Sequence, residues 1–233
     1  MARPAATVRG VYTVAAMVKY WMSAARVNTV RLRQRKARRA GGRLAHAQDG
    51  CYAARMKPER QTVHFRGRIV TLTTDEVTLP NGHVAALEVV HHPGGAVAAA
   101  VDDQERVCLL RQYRYVAGGW LWELPAGKLE PGEPPLATAQ RELIEEAGVR
   151  AREWRSLGSY LSSPGVFSEV LHLFLATGLE PAPTAHEQAE VIEVHWIPFA
   201  QAYEWAVGGE IRDGKTALGL VRARHLLERA AAS

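Results

Sequence analysis

Short stretches of alternating apolar and polar residues begin after Met56 and predict β-strands. They are separated by Gly67, Asp75 and the segment Pro80-Asn81-Gly82, residue types that favour turns. The predicted strands span residues 62–66, 69–73, 76–79 and 84–90. Short, β-branched strands at this spacing are typical of antiparallel pairing. The pattern therefore predicts a small antiparallel β ribbon within residues 56–93.

Residues 94–233 combine apolar strands with helices, which indicates an α/β domain. The runs at 96–101 and 106–111 are joined by four polar residues and predict a buried hairpin. A helix is predicted over 134–147, because proline suits the opening of a helix and Gly148 suits its C-terminal cap. The remaining predicted elements are strands at 154–161, 170–176 and 192–197 and helices at 199–207 and 213–230.

Charge divides the chain near residue 55. Residues 1–55 hold 12 of the 29 Lys and Arg but one of the 24 Asp and Glu, a net charge of +11. Residues 56–233 hold the other 17 basic and 23 acidic residues, a net charge of −6. An acidic body argues against binding of a nucleic-acid backbone as the main role. The basic extension is compatible with an interaction tail, a targeting peptide, or a poorly ordered segment that is dispensable if translation starts at Met56.

Composition also indicates in which cellular compartment the protein is expected. With 47% hydrophobic residues, the chain has enough apolar side chains for a core and is not a fully disordered protein. The apolar stretch at 11–18 is far shorter than the roughly 20 residues that span a bilayer, and no later run reaches that length. Cys51 and Cys108 cannot form a disulfide framework or a cysteine-based zinc site. We therefore expect a cytoplasmic protein without a membrane span.

Candidate chemistry concentrates in residues 127–149. Glu142, Glu145 and Glu146 are spaced i, i+3 and i+4, so they share one face of the predicted helix. Such spacing also occurs on solvated acidic helix faces, so the surrounding residues are needed to distinguish such a face from a metal site. Three like charges in one turn repel each other and require a cation, and hard oxygen donors suit Mg²⁺ or Mn²⁺, which bind phosphate oxygens.

The wider segment resembles the signature of the Nudix hydrolases, GX5EX7REUXEEXGU. It reads Gly127, five residues, Glu133, seven residues, and then Arg-Glu-Leu-Ile-Glu-Glu-Ala-Gly-Val over 141–149. A chance match at all seven fixed identities has a probability on the order of 10⁻⁷ or less. The resemblance implies an α/β/α sandwich with a mixed sheet, and hydrolysis of a nucleoside diphosphate that is linked to another group.

The resemblance also implies roles for single residues. Glu142 and Glu146 are the implied principal metal ligands, with Glu145 close to the reaction and the carbonyl of Ala126 as a further ligand. Bound divalent ions would neutralise the pyrophosphate and lower the pKa of a bound water. The residues implied to shape the motif without taking part in the chemistry are Gly127, Glu133, Arg141 and Gly148.

Segments outside this motif resemble the ADP-ribose pyrophosphatase branch of the family. Pro164 lies 15 residues beyond the motif, where that branch carries a proline, although a Ser-Pro-Gly turn is ordinary by itself. The other similar segments are the β ribbon, Arg111–Tyr115, Leu121–Gly127 and Gly209–Thr216. One departure is Leu87, where many members have an arginine. The implied reaction is hydrolysis of ADP-ribose or an ADP-sugar to AMP and a sugar phosphate.

Substrate and base residues are predicted from the same resemblance. Arg114 and Arg111 are candidates for binding the pyrophosphate, because arginine matches phosphate oxygens in a fixed fork, and Arg114 is preferred. Glu187 and Glu190 are candidates for the general base. Glu190 is preferred because it immediately precedes a predicted strand and would be well held.

Two further expectations concern partners and the class of function. The ribbon, at about residues 60–92, resembles a dimerising region, and an isolated ribbon has open edges, so we expect a homodimer. A ligand sensor that binds ADP-ribose-like nucleotides without turnover is the alternative to an enzyme. The complete set of three carboxylates favours the enzyme.

Overall fold

The computed structural model describes residues 57–185 and 191–231. The basic extension at 1–55 and the candidate bases Glu187 and Glu190 lie outside the described residues. Within the described ranges, no helix is both long and apolar enough to cross a membrane.

A three-stranded antiparallel ribbon opens the described chain. Its strands are β1 (Arg60–Arg66), β2 (Thr71–Thr78) and β3 (Val84–His91), in the order β1-β2-β3. The prediction of two strands at 69–73 and 76–79 was wrong, because β2 runs through Asp75 without a break. The Asp75 carboxylate is buried and accepts hydrogen bonds from Thr73 Oγ1 at 2.8 Å and Gln61 Nε2 at 2.9 Å. Partners within the ribbon therefore allow an acidic residue in the middle strand.

Two sheets follow the ribbon. Their strands are β4 (Gly95–Ala100), β5 (Arg106–Arg114), β6 (Gly119–Glu123), β7 (Ala126–Lys128), β8 (Val149–Leu161), β9 (Val170–Pro181) and β10 (Ile192–Pro198). One sheet has the order β10-β5-β6 and is antiparallel. The other has the order β7-β4-β9-β8 and is mixed, because β4 and β9 are parallel. The sequence pattern missed the short strands β6 and β7.

The predicted hairpin at 96–101 and 106–111 was also wrong. Asp102 does form the turn, since its Oδ1 accepts hydrogen bonds from the backbone N–H groups of Gln104 at 3.0 Å and Arg106 at 2.8 Å. After a single bridge between Val101 and Val107, however, β4 and β5 separate into different sheets. The strand β4 pairs with β9 instead. This partner lies far away in sequence, so no local pattern of residues indicates it.

Three helices cover the sheets within the described ranges. They are α1 (Pro135–Ala147), α2 (Phe199–Gly208) and α3 (Gly214–Ala231). Alternate residues of the central strands face opposite sides. Val97 and Leu109 pack in a core that includes residues of α2 and α3, whereas Ala98 and Leu110 pack against Leu143 of α1. Helices thus lie on both sides of the strands, and the predicted α/β/α arrangement with a mixed sheet is confirmed.

The end of the ribbon is hydrogen-bonded to the loop that follows β8. The backbone N–H of Val90 donates to the carbonyl of Val166, and the N–H of Ser168 donates to the carbonyl of Val90, at 2.8 and 2.9 Å. The N–H of His92 donates to Ser168 Oγ at 2.9 Å. These bonds place the ribbon beside the cavity described below, which Arg68 of the β1–β2 connection helps to line.

Candidate active site

The carboxylates of the motif project from α1 beside its core-facing residues. The helix ends at Gly148, which has a left-handed backbone (φ 66°) and donates its N–H to Ile144. Glu142 and Glu146 are 9% and 3% exposed, and Leu143 between them is fully buried in the core. Packing of Leu143 therefore fixes the direction in which the two buried carboxylates point.

Arg141 is a cation that pairs with two of the three carboxylates. Its Nη1 donates to Glu142 Oε1 at 2.7 Å and to Glu145 Oε2 at 3.0 Å. Its other nitrogens, Nε and Nη2, donate to the two oxygens of Glu133 at 3.1 and 3.2 Å. Hydrogen bonds from Arg141 lower the pKa of Glu133 to about 2; burial opposes this effect, and a hydrogen bond from Thr138 adds to it. Arg141 thus links the helix to the loop before it.

The strand β7 brings main-chain groups against the same carboxylates. The N–H of Ala126 donates to Glu146 Oε2 at 2.8 Å. A Cβ atom on Gly127 would lie 1.8 Å from Glu142 Oε1, so any other residue there would displace the carboxylate. Glycine at 127 is therefore a steric requirement of the buried carboxylate. We call Glu142, Glu145 and Glu146 the acidic wall.

The acidic wall has donors that suit a hard divalent cation. It offers three carboxylates beside main-chain groups of β7, which is the ligand chemistry of Mg²⁺ and Mn²⁺. Among the described residues, no group of three or more His, Cys, Asp and Glu side chains is already arranged to hold a metal ion. Nη1 of Arg141 lies between Glu142 and Glu145, and the guanidinium has two further contacts with Glu133. By their chemistry, Glu142, Glu145 and Glu146 would hold such an ion together with main-chain groups of β7.

A second group of charges comes from three separate segments. Arg114, at the end of β5, donates two hydrogen bonds to the carboxylate of Glu123 at 2.8 and 2.9 Å. Lys215, in the first turn of α3, donates to the same carboxylate at 2.5 Å and contacts Asp213 at 3.0 Å. Glu123 itself is only 2% exposed. We call Arg114 and Lys215, with Glu123 behind them, the cationic wall.

The buried Glu123 is ionised because of its two partners. Burial by itself raises the pKa of Glu123, but the hydrogen bond from Arg114 and the charge of Lys215 outweigh burial and lower the pKa to about 2. The pKa of Arg114 is raised by its hydrogen bond to Glu123, and the charges of Glu146 and Asp213 act in the same direction. The charge of the acidic wall therefore contributes to the raised pKa of Arg114, in addition to the contribution of its partner Glu123.

The two walls are joined by the segment between β6 and β7. The N–H of Leu124 donates to Thr216 Oγ1 in α3 at 2.8 Å, and two residues later the N–H of Ala126 donates to Glu146 Oε2 in α1 at 2.8 Å. A cavity of about 710 Å³ is lined by both walls. It is large enough for a nucleotide-sized ligand.

His92 and Glu169 add a further pair to the cavity lining. Nδ1 of His92 lies 3.3 Å from Glu169 Oε1 and accepts the N–H of Gly94 at 3.0 Å. Burial lowers the pKa of His92, and the nearby charge of Glu169 opposes that effect.

Comparison with known proteins identifies the family. A model of the NUDIX domain matches residues 91–217, more than half of the chain. The chain belongs to the Nudix family. The Nudix motif is the segment 127–149, and the matched residues include both walls of the cavity.

Several relatives extend the similarity beyond the motif. An ADP-ribose pyrophosphatase of Mycobacterium tuberculosis is 40% identical over 154 residues, which cover 65% of this chain and 74% of the relative. An ADP-ribose pyrophosphatase of Bacillus subtilis is 35% identical over 158 residues, which cover 67% and 85%. A crystal structure of an ADP compounds hydrolase matches with a TM-score of 0.65 and 21% identity, over 75% of this chain and 96% of that chain. At this level of identity, the last match shows that the two chains share a fold.

The structure separates the two arginines that were candidates for substrate binding. Arg114 lines the cavity of this Nudix protein. Arg111 is an odd number of residues away in the same strand, so it points to the other face of the sheet. There its guanidinium lies 4.9 Å from the ring centre of Trp122. The geometry favours Arg114 as the residue that meets a ligand.

Pro164 and Leu87 lie away from the cavity lining. Pro164 is exposed in a turn closed by the N–H groups of Val166 and Phe167, which both donate to the carbonyl of Ser163. Leu87, which stands where the resemblance to the ADP-ribose pyrophosphatase branch implies an arginine, is 43% exposed in β3. Ser162 and Glu169, at the ends of the Pro164 loop, do line the cavity.

Sequence reasoning missed Glu123 and Lys215. Both belong to segments that resemble the ADP-ribose pyrophosphatase branch, but neither was assigned a role. The signal at Glu123 was a single acid within Leu121-Trp122-Glu123-Leu124, because a charge in an apolar run has to find a partner if it is buried. One of its two partners, Lys215, is 92 residues away, and a partner at that separation has no local signal.

Proposed function

We propose that this Nudix protein hydrolyses the pyrophosphate bond of ADP-ribose or a related ADP-sugar, with Mg²⁺ or Mn²⁺ as its cofactor. The observation that carries the proposal is one cavity lined by both a buried acidic wall and a cationic wall. A diphosphate bound through a divalent cation requires this combination, because carboxylates hold the cation and guanidinium and ammonium groups bind phosphate oxygens. The names of the two relatives described above support the choice of substrate class.

In the proposed reaction, water adds to one phosphorus atom and the bond from phosphorus to the bridging oxygen breaks. ADP-ribose would give AMP and ribose 5-phosphate, and one proton of the water is released. A divalent ion at the acidic wall would lower the pKa of a bound water and offset charge on the leaving phosphate. Glu142 and Glu146 would hold the ion, together with Glu145 and the carbonyl of Ala126.

The remaining residues position the reactants. Arg114 would bind the pyrophosphate, and its double hydrogen bond to Glu123 fixes the guanidinium before substrate arrives. The Arg141–Glu133 pair would hold the loop from Gly127 to Gly132 against α1. We retain Glu190 as the general base that accepts the proton of the attacking water, with Glu145 as a second catalytic carboxylate.

The proposal is tested with purified protein and a panel of ADP-ribose, an ADP-hexose, a GDP-hexose and NADH. Each is incubated with Mg²⁺ and a phosphatase that releases phosphate only from the products, and free phosphate is measured. We expect ADP-ribose or the ADP-hexose to give the highest kcat/KM and EDTA to abolish release. Binding of ADP-ribose without any phosphate release would show a sensor instead of an enzyme.

We also propose that the protein is a homodimer in which the β ribbon supplies the interface. Apolar side chains of the ribbon are exposed, with Phe65 at 57%, Val84 at 55% and Leu87 at 43%. Exposed apolar groups on a ribbon with open edges favour association. Light scattering at micromolar concentration should give twice the mass of one chain, and Phe65→Ser should shift the protein toward the monomer. A monomer for the unsubstituted protein would contradict the proposal.

A further inference from the structure

Lys215 lies in the segment Ile211–Thr216, to which the proposed function gives no role. The segment begins α3, where Asp213 Oδ2 accepts the N–H of Thr216 at 3.0 Å and its hydroxyl at 2.6 Å. These bonds are those of an N-terminal cap. They hold the first turn of α3, and with it Lys215, at the edge of the cavity.

Lys215 is not needed to give hydrogen-bond partners to the two carboxylates that it contacts. Glu123 already has two hydrogen bonds from Arg114, and Asp213 already has two from Thr216. Both carboxylates would therefore retain partners if the ammonium group were absent. The side chain of Lys215 is 15% exposed, so its desolvation has a free-energy cost. A role toward a ligand accounts for a cation in this place.

The ammonium group of Lys215 has one N–H donor left for a ligand in the cavity. An ammonium carries three N–H donors, and Glu123 and Asp213 accept two of them. Lys215 and Nη2 of Arg114 both donate to the same oxygen, Oε2 of Glu123, so the two cations lie side by side. Arg114 also has N–H groups that the carboxylate does not use. Two adjacent cations with free donors suit the oxygens of one phosphoryl group or of two linked ones.

We propose that Lys215 is a substrate-binding residue that contacts phosphoryl oxygens of the nucleoside diphosphate together with Arg114. This inference rests on the proposed function and names a residue for the phosphate side of that same site. Glu123 is then a positioning residue, because it touches no substrate and holds both cations from behind. The link from Leu124 to Thr216 keeps this pair at a fixed place relative to the acidic wall.

The test measures binding without turnover. The ligand is an ADP-ribose analogue in which a methylene group replaces the oxygen between the two phosphorus atoms, so that it cannot be hydrolysed there. Calorimetric titration compares the unsubstituted protein with Lys215→Met, which keeps the length of the side chain and removes its charge. We expect a Kd at least about tenfold higher for Lys215→Met, and for ADP-ribose a higher KM with kcat changed less than about threefold.

Arg212→Met is the matched control. Arg212 precedes the same helix and carries the same charge, but it is exposed and does not line the cavity. Its substitution should change the Kd of the analogue less than twofold. Equal weakening by both substitutions would show a general charge effect and would overturn the proposal.

A crystal structure of the unsubstituted protein with the analogue provides a second measurement if Lys215→Met does not fold. We expect Nζ of Lys215 within about 3.5 Å of a phosphoryl oxygen, and a larger separation from every such oxygen would overturn the inference. Failure of the proposed function can be distinguished from failure of this inference. If the proposed function fails, the unsubstituted protein will neither hydrolyse any member of the panel nor bind the analogue. Normal turnover and binding with an unaffected Lys215→Met variant would overturn this inference alone.

Discussion

The two walls of the cavity are built in opposite ways. The acidic wall comes from five consecutive positions of one helix, 142–146, and its cation Arg141 is the preceding residue. The cationic wall takes Arg114, Glu123 and Lys215 from three segments, and a buried carboxylate holds its two cations. In one wall Arg141 contacts two of the three carboxylates, and in the other the buried carboxylate of Glu123 contacts two cations. Charges of one sign can be kept together at a site when a group of the opposite sign holds them in place.

The two walls are expected to affect different measurements, and the largest effect should come from the acidic wall. Glu146→Gln keeps the shape of the side chain and removes its charge, so it should lower kcat in Mg²⁺ on the order of 10²-fold or more. Kinetics with ADP-ribose measure the loss, and circular dichroism checks the fold. Glu204→Gln, at an exposed position of α2, is the matched control. Near-full activity of both Glu146→Gln and Glu142→Gln would refute the assignment of the acidic wall.

Glu123→Gln should reduce stability, because it leaves two cations without their buried partner. The folded-state pKa of Glu123 is lowered from 4.5 to about 2, so its stabilising effect is complete above pH 4.5 and is lost as the pH falls toward 2. The free energy of unfolding at pH 7 should fall by about 3 kcal/mol, and the difference from the unsubstituted protein should shrink below pH 4.5. Urea unfolding at pH 7, 5 and 3.5 measures both effects.

Glu228→Gln is the control for that series. Glu228 is 60% exposed and pairs with Arg224 one turn earlier in α3. Its substitution should leave the urea midpoint unchanged, since solvent screens an exposed pair. A midpoint as low as that of Glu123→Gln would mean that burial of Glu123 is not the cause of its effect.

Arg114→Lys should weaken substrate binding by a smaller factor. Lysine keeps the charge but lacks the fork of the guanidinium, so KM for ADP-ribose should rise about tenfold while kcat changes less than about threefold. Arg111→Lys should change KM less than about twofold, because Arg111 lies against Trp122 outside the cavity lining. The reverse order of the two effects would transfer the pyrophosphate contact to Arg111.

The smallest effect is expected from removal of residues 1–55. Both walls are built from residues 114–215, so a chain that starts at Met56 should have a kcat/KM within about threefold of the full chain. The comparison should be made near physiological ionic strength, because the +11 charge of this segment attracts anions at low salt. A folded truncated protein that loses more than tenfold would show that the segment contributes to the site.

Local sequence alone determined the helix α1 and its acidic face. Proline at the start, glycine at the end and the i, i+3, i+4 spacing are interactions within a few residues, and the structure has each of them. The same is true of most strand positions, because alternation of side chains is a local property. The Nudix motif was accessible from the sequence for this reason, and the α/β/α arrangement was implied by the family resemblance that the motif carries.

Only the tertiary structure decided which strands pair and which charges meet. The strands β4 and β5 look like a hairpin in sequence, yet β4 pairs with β9, because pairing depends on long-range packing on both faces of the sheet. Glu123 reads as one acid in an apolar run, and its partners Arg114 and Lys215 are 9 and 92 residues away. The free-energy cost of burying Glu123 is offset by partners in other elements of the fold. Such partners leave no periodic pattern of residues in the sequence. The acidic wall was therefore predictable from the sequence, whereas only Arg114 of the cationic wall was a candidate from the sequence.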